Sequence, residues 1–310
     1  MIGPKMFRLA AFAAGTVGGL SGAAYGLLNE QSRRARRIIG PPRSGPLRAD
    51  RVHYPESHHV SEPGGPPPHT DVAPLEFVVL GDSSAAGLGV DLPDQLPGVL
   101  IARGLAEELE RPVSLTTHAV VGTTTRELGL QVDTVLDEPP RLVLILVGAN
   151  DVTSRVPIRT SARLLGAAVE RLTAEGVAVV AGTCPDLGAI RPIPQPLRAV
   201  VRSVSLALGK AQRRAVEQAG GHAVPLADLL SPEFLTRPTE LFSHDRFHPS
   251  AAGYEAAATM LLPTLCHAIG EWAGAPVPTA PTRSSAAEAR RPTRRLIALL
   301  NRHLRRRADS

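Results

Sequence analysis

The stretch FVVLGDSSAAGLGV, Phe77 to Val90, carries four apolar residues directly into Gly-Asp-Ser-Ser. An apolar run that ends in glycine and small residues predicts a buried strand followed by a tight turn. Three interpretations compete: a phosphate-binding loop, a nucleophile at a strand end, or a simple turn. The stretch contains neither G-x-G-x-x-G nor G-x-x-x-x-G-K-[ST], and Ala85 replaces the last glycine of the G-x-S-x-G elbow. What remains is Ser83, a hydroxyl at a strand-to-loop turn where a backbone N–H can face a ligand.

The 310-residue chain is long enough for one large domain with appendages or for two small ones, and its net charge of +5 is unevenly distributed. Residues 1–50 carry eight Lys/Arg and two Asp/Glu, and residues 279–310 carry nine and two. Residues 51–278 are left with 17 basic and 25 acidic groups. A nucleic-acid-binding domain carries its positive charge on the folded surface. Basic ends around an acidic middle therefore argue against nucleic acid as a partner.

Cys184 and Cys266 are the only cysteines in the sequence. Two cysteines are too few for a disulfide scaffold, and their spacing matches no metal-binding motif. We expect two buried free thiols and no bound metal ion. A single disulfide stays open if the chain is exported.

The first 74 residues divide into an apolar segment with a basic cluster, residues 1–39, and a Pro/Gly-rich linker, residues 40–74. Leu9 to Leu28 contains no charge over twenty residues, the length of a membrane span or of a long signal sequence. Ala and Gly dominate it, so insertion would be marginal, and the cluster RRARR (Arg33 to Arg37) follows. We expect an exported or membrane-associated protein. Two other interpretations of the apolar segment stay open. It can be an anchor that keeps the domain on the cytoplasmic side, or a Gly/Ala-rich helix that lies on the domain.

From residue 75 to residue 272, short apolar runs alternate with longer segments of helical period. The five runs are EFVVLG, VSLTTHAV, RLVLILVG, VAVVAGT and HAVPLAD. Continuous apolar runs are typical of strands buried on both faces, so the pattern predicts an α/β domain with a five-stranded parallel sheet. In such sheets, functional groups collect beyond the carboxyl ends of the strands.

The tail, residues 273–310, is basic and contains the sequence TRRLIALLNRHLRRR. Its leucines form one helical stripe, which suggests a surface for an anionic membrane or for a partner's groove: Leu296, Leu299, Leu300 and Leu304. A solvated tail is the alternative. Together with the apolar N-terminal segment, the stripe predicts membrane contact through both termini.

Candidate partners for Ser83 follow other strands. Asp245 and His248 stand three residues apart in SHDRFHPSAAGY, just before the last predicted helix. One imidazole nitrogen can bond the carboxylate while the other faces the sheet edge, as in a general base with its orienting acid. Gly122 in HAVVGTTT and Asn150 in VGAND follow the second and third strands, where a backbone N–H and an amide can bind an oxyanion. Each motif also has a purely structural interpretation. Asp245 and His248 can belong to a helix-entry turn, Gly122 can be a turn glycine, and Asn150 can form an Asx turn.

The elements GDSS, Gly122, GAND and DRFHP, in this order, resemble the four sequence blocks of the SGNH hydrolases, also called GDSL-like esterases and lipases. The similarity covers roughly residues 75–270. It implies a three-layer α/β/α, flavodoxin-like fold and cleavage of esters, thioesters or O-acetyl groups without a cofactor. With its apolar N-terminus, the chain resembles most the exported or envelope-associated GDSL-like esterases of high-GC bacteria.

The resemblance also implies roles for individual residues. Ser83 would be the nucleophile, His248 the base and Asp245 its orienting acid. The Ser83 and Gly122 backbone N–H groups and the Asn150 amide would form the oxyanion hole. The sequence departs from the family pattern around Gly122, where the Asn and Ser often found in the second block are missing. A second serine also follows Ser83 directly, which leaves two candidate hydroxyls.

Together, the residues and the resemblance predict a serine esterase that hydrolyses carboxylic esters with short-chain acyl or O-acetyl groups through an acyl-enzyme. We expect a small-molecule, glycan or lipid ester as substrate, and an open cleft because the sequence contains no additional lid domain. CPDLGAIRPIPQPL, Cys184 to Leu197, either lines the acyl or alcohol side of the site or is a rigid covering loop. Two other functions stay open: an acyltransferase that uses the same serine intermediate, and a non-catalytic glycan-binding module on the same fold.

Overall fold

The computed structural model describes residues 24–40, 45–56 and 72–271. Most of the apolar run Leu9 to Leu28 and the basic tail 273–310 lie outside these residues, so the predictions made for them stay predictions. Of the helices in the described ranges, none is both long and apolar enough to cross a bilayer.

The elements follow one another in the alternating order that the sequence predicts. The helices are α1 (residues 24–39), α2 (Pro97–Leu109), α3 (Leu128–Leu136), α4 (Ala149–Thr153), α5 (Ile158–Ala174), α6 (Leu197–Gln218), α7 (Leu226–Thr236), α8 (Pro238–Leu241) and α9 (Ala251–Ala268). The strands are β1 (Val52–His53), β2 (Leu75–Gly81), β3 (Val113–Thr117), β4 (Leu142–Leu146), β5 (Ala178–Gly182) and β6 (His222–Val224).

The strands form a single sheet in the order β1-β3-β2-β4-β5-β6. The five strands from β2 to β6 are parallel, as predicted, and their order is that of a flavodoxin-like sheet. A sixth strand was not predicted. β1 comes from the segment interpreted as linker and pairs antiparallel with β3, with Val52 opposite Ser114. Two residues are too few to give a strand periodicity in the sequence.

Helices cover both faces of the sheet, which makes three layers. Phe77 and Val79 of β2 pack with α2 and α9 on one face, whereas Val78 and Leu80 pack with α3, α5 and α6 on the other. Successive side chains of a strand point to opposite faces, so a strand buried on both must be apolar throughout. This explains why the central strands β4 and β5 are apolar throughout in the sequence.

Helix α1 lies against the domain. Only its first residues, 24–28, belong to the apolar run, so the interpretation of that run stays a prediction. Ala35 is buried in a small apolar cluster with Ile190 and Ile193. The Gln31 amide donates to the carbonyl of Gln195 at 2.6 Å and accepts from the N–H of Leu197 at 3.0 Å. The helix therefore braces the segment that connects β5 to α6.

A second contact holds the other end of the same helix. The Arg155 guanidinium donates to Asn29 Oδ1 at 2.6 Å and to Tyr25 Oη at 3.1 Å. Its Cζ also lies 5.6 Å from the centroid of the Tyr25 ring, within range of a cation–π contact. Arg155 follows α4 directly, so α1 contacts two of the connections at the carboxyl edge of the sheet.

Candidate active site

Ser83 stands where β2 leaves the centre of the sheet. The preceding Gly81 has φ +137°, and a Cβ atom there would lie 1.9 Å from the carbonyl oxygen of Leu146. Only glycine permits this approach. The chain then turns back on itself, with the Ala86 N–H donating to the Asp82 carbonyl at 3.0 Å and the Leu88 N–H to the Ser83 carbonyl at 2.9 Å. The turn holds Ser83 in place, with only 8% of its surface exposed.

Three of the candidate residues are joined by hydrogen bonds. His248 Nε2 lies 3.0 Å from Ser83 Oγ, and His248 Nδ1 lies 2.6 Å from Asp245 Oδ2. Although 165 positions separate Ser83 from His248, the fold brings them within hydrogen-bond distance. Their spacing satisfies the geometric requirement for a nucleophile, a base and an orienting acid.

The Asp245 carboxylate is fixed by its own turn. Its Oδ1 accepts hydrogen bonds from the Ser243 hydroxyl at 2.8 Å and from the N–H groups of Phe247 at 2.8 Å and His248 at 2.9 Å. Burial by itself raises the pKa of this carboxyl, but the bonds from His248, Phe247 and Ser243 outweigh burial and hold the pKa well below its usual value. Asp245 is therefore ionised and accepts from Nδ1–H, which leaves the Nε2 lone pair directed at Ser83.

Asn150 and Gly122 lie on neighbouring connections. The Asn150 amide, on the first turn of α4, donates to the carbonyl of Thr123 at 3.1 Å and so contacts the loop that contains Gly122. Gly122 has φ +88°, and a Cβ atom there would meet no other atom within 4 Å. Among the described residues, neither Asn150 nor Gly122 forms a hydrogen bond with Ser83. Their role at the site stays a prediction.

The GDSL-like Lipase/Acylhydrolase family matches residues 79–256, more than half of the chain. The chain belongs to this family. It is 41% identical over 293 residues to the GDSL-like esterase Rv1075c of Mycobacterium tuberculosis, covering 91% of each protein. The GDSL-like chain is therefore a serine hydrolase that acts on ester bonds.

One solved structure, that of TesA, supports the fold. The structure of TesA superposes with a TM-score of 0.51 and 21% identity, covering 62% of this chain and 99% of TesA. A lipase/acylhydrolase from Enterococcus faecalis gives a TM-score of 0.48 and 23% identity over 61% of this chain and 93% of its own. At these identities the TesA match supports the three-layer architecture alone.

The adjacent hydroxyls of Ser83 and Ser84 in this GDSL-like hydrolase have different hydrogen-bond partners. Ser84 Oγ donates to Asp82 Oδ1 at 2.5 Å, and the Ser84 N–H donates to the same oxygen at 2.9 Å. Ser84 is thus engaged with Asp82, whereas Ser83 faces His248. Burial raises the pKa of the Asp82 carboxyl, and the bonds from Ser84 oppose this rise only in part.

Buried polar side chains that the sequence did not single out hold the loops of the site. Gln131 donates to the carbonyl of Gly81 at 2.9 Å and accepts from its N–H at 2.7 Å, which ties α3 to the end of β2. Asp151 is fully buried and accepts from Thr125 Oγ1 at 2.5 Å. The Asp of GAND was the only signal in the sequence for such a role. Gln131 stands in an amphipathic helix, where a polar residue normally indicates a solvent-facing position.

The two cysteines are free and buried, as expected from the sequence. Burial raises the pKa of the Cys184 thiol well above its usual value and that of Cys266 to about 11. Both groups are therefore uncharged thiols at neutral pH, and neither is an activated nucleophile.

An apolar cavity opens at Ser83 and His248 and has a volume of about 120 Å³. The segment between Cys184 and Leu197 contributes Leu187, Ala189 and Ile190 to its wall. The segment therefore lines a cavity at the site, and the part of the substrate that this cavity takes stays a prediction.

The hydrogen bonds of Asp245 predict a pH-dependent contribution to stability. The pKa of Asp245 is lower in the folded chain than the value of about 3.9 in the unfolded chain. The contribution of the Asp245 carboxylate to the free energy of unfolding is therefore complete above about pH 3.9 and is lost as the pH falls below that value. Wild type should exceed Asp245→Asn in free energy of unfolding near pH 7, and the difference should shrink below about pH 4. Urea unfolding at pH 3, 4, 5 and 7 measures this difference.

The exposed Asp137→Asn variant controls for the loss of a charge alone. A difference between wild type and Asp245→Asn that stays constant from pH 7 to pH 3 would contradict the assignment of these bonds to an ionised carboxylate.

Proposed function

We propose that this chain is a serine carboxylesterase that hydrolyses esters of short-chain acyl or O-acetyl groups through a Ser83–His248–Asp245 triad and an acyl-enzyme. One observation carries the proposal: the unbroken line of hydrogen bonds from Ser83 Oγ to His248 Nε2 at 3.0 Å and from His248 Nδ1 to Asp245 Oδ2 at 2.6 Å. Membership of an ester-hydrolysing family agrees with it.

In the proposed reaction, Ser83 Oγ attacks the ester carbonyl while His248 Nε2 takes its proton. Asp245 holds the imidazole orientation through Nδ1 and stabilises the imidazolium that forms. His248 then returns the proton to the leaving alkoxide, and the acyl group stays on Ser83. Water, activated by the same imidazole, attacks the acyl-enzyme and releases the carboxylic acid.

Free hydrogen-bond donors support the proposed oxyanion hole. In the described part of the chain, the N–H groups of Ser83 and Gly122 donate to no other atom. The Asn150 amide uses one of its two hydrogens on the Thr123 carbonyl, which leaves the second for a ligand. Three donors fixed by the fold can stabilise the charge that develops on the carbonyl oxygen, because they need no reorganisation during the reaction.

We also propose an exported or membrane-associated location, with membrane contact through both termini and a small-molecule, glycan or lipid ester as the substrate. The support is in the sequence: an uncharged run of twenty residues near the start and a leucine stripe on a basic tail. Helix α1 lies against the catalytic domain, so a membrane contact just before it would hold the site close to that surface.

Ser83→Ala and His248→Ala should each lower kcat for p-nitrophenyl acetate by roughly 10⁴-fold or more, because each removes a member of a unit that acts together. The matched control is Ser84→Ala, which removes the neighbouring hydroxyl that bonds to Asp82 and should lose less than about tenfold. Steady-state kinetics on folded variants, verified by circular dichroism, measure these effects. A Ser84→Ala variant as inactive as Ser83→Ala would overturn the choice of nucleophile.

Asn150→Ala should lower kcat by about 10²- to 10³-fold, the usual loss when one side-chain donor is removed from an oxyanion hole. KM should change little, because the donor acts mainly on the transition state. Thr153→Ala, which removes a hydroxyl bonded to the Asn150 carbonyl on the same short helix, is the control. Full activity in Asn150→Ala would remove this residue from the proposed site.

A further inference from the structure

The cavity beside the proposed nucleophile lies between the sheet and helices α2, α7 and α9. Ser83 and His248 are part of its wall. The wall along α9 extends from Gly253 to Leu261, about two helical turns. Aliphatic and aromatic side chains from several elements form most of the remaining surface, among them Ile101, Leu146, Leu226, Leu230 and Phe234. The space next to the reacting hydroxyl is therefore suited to hydrocarbon.

Small residues line part of this space. Gly182 ends β5, where Leu146 and Leu226 pack so closely that a Cβ atom would lie 2.5 Å from Leu146 Cδ2 and 2.8 Å from Leu226 Cδ1. Ala257 and Ala258 form the facing part of α9. Protein interiors are normally close-packed, so a void of about 120 Å³ that opens onto a nucleophile differs from ordinary packing.

A second, smaller cavity also touches His248. Its volume is about 70 Å³, and its wall consists of residues 45–47, residues 87–91, His244 and Asp245. The charged and polar groups among these residues make this cavity less favourable for a hydrocarbon chain than the first, since a buried polar group without a partner is costly. His248 therefore lines both a mainly apolar cavity and a more polar one.

We infer that the apolar cavity binds the acyl chain of the substrate and accommodates a straight chain of roughly four to six carbons. The inference rests on the proposed function and specifies its substrate. The length follows from the volume: a cavity of about 150 Å³ in another protein holds one benzene molecule, so about 120 Å³ holds a similar or slightly smaller number of carbons.

Residues that line the cavity determine the length of the acyl chain that fits. Leu230 of α7 and Ala257 of α9 both line the cavity. A larger side chain at residue 257 should shorten the chain that fits, and a smaller one at residue 230 should lengthen it.

The test uses the full 310-residue chain with p-nitrophenyl esters from acetate to decanoate. In wild type, kcat/KM should rise about fourfold for each added methylene up to roughly hexanoate and fall for longer chains. Ala257→Phe should lower the hexanoate-to-acetate ratio of kcat/KM at least about tenfold, because two or more methylenes lose their space. Leu230→Ala should raise the octanoate-to-hexanoate ratio about fourfold.

Thr259→Phe is the matched control, because Thr259 is exposed on the same helix and does not line the cavity. It should leave both ratios unchanged. Ala258→Leu provides a smaller substitution should Ala257→Phe fail to fold, and it should lower the hexanoate-to-acetate ratio in the same direction. Circular dichroism establishes that each variant is folded.

The outcomes separate the two claims. Hydrolysis that depends on Ser83, with chain-length ratios that neither Ala257→Phe nor Leu230→Ala changes, would overturn the acyl assignment and leave the esterase function in place. Absence of any hydrolysis that depends on Ser83 in a folded wild type would remove the proposed function and, with it, this inference. Opposite shifts in the two variants would support it.

Discussion

Close contact between Gly81 at the end of β2 and the carbonyl of Leu146 at the end of β4 is the constraint on which the site depends. The N–H of Asp82 donates to that carbonyl at 3.0 Å, and no side chain fits between the two strands at this level. The neighbouring strands β2 and β4 therefore end at the same level of the sheet, with Gly81 opposite Leu146. Ser83 follows one strand and Asn150 the other, so their separation is set by backbone hydrogen bonds and not by flexible side chains.

Buried amides and carboxylates extend this constraint outward from the central strands. Gln131 fixes the end of β2, and Gln212 links the Val147 carbonyl at 3.2 Å to the Cys184 N–H at 2.7 Å. Asp151 holds the loop that contains Gly122 through Thr125. Each of these groups would be costly to leave unpaired inside the domain, so the connections have few other arrangements open to them. Catalytic donors gain most when they are positioned before the substrate arrives.

Much of this arrangement could be predicted from the sequence. Short segments rich in apolar and β-branched residues, alternating with helical segments, identified the five parallel strands. The position of Ser83 at a strand end, together with the Asp-x-x-His spacing, identified the three residues that the structure joins. Both signals are local, because a strand buried on both faces and a short turn each restrict the types of residues that are adjacent in the sequence.

Other features left no local mark. The pairing of β1 involves two residues, and the docking of α1 depends on Gln31 meeting backbone groups about 165 positions away. Gly182 and Ala257 line the cavity from different layers, and small residues in a sequence do not indicate what they will face. The supporting role of Gln212 is hidden for the same reason, because its partners belong to two other connections. Such features are properties of the tertiary packing.

The most direct test of the central claim is to label the folded wild-type chain with a serine-directed fluorophosphonate and map the adduct by peptide mass spectrometry. The account predicts one adduct, on Ser83, because His248 activates that hydroxyl alone. It predicts no adduct in His248→Ala under the same conditions. An adduct on Ser84, equal labelling of Ser83→Ala, or an unlabelled wild type that is folded would contradict the assignment of Ser83 as the nucleophile.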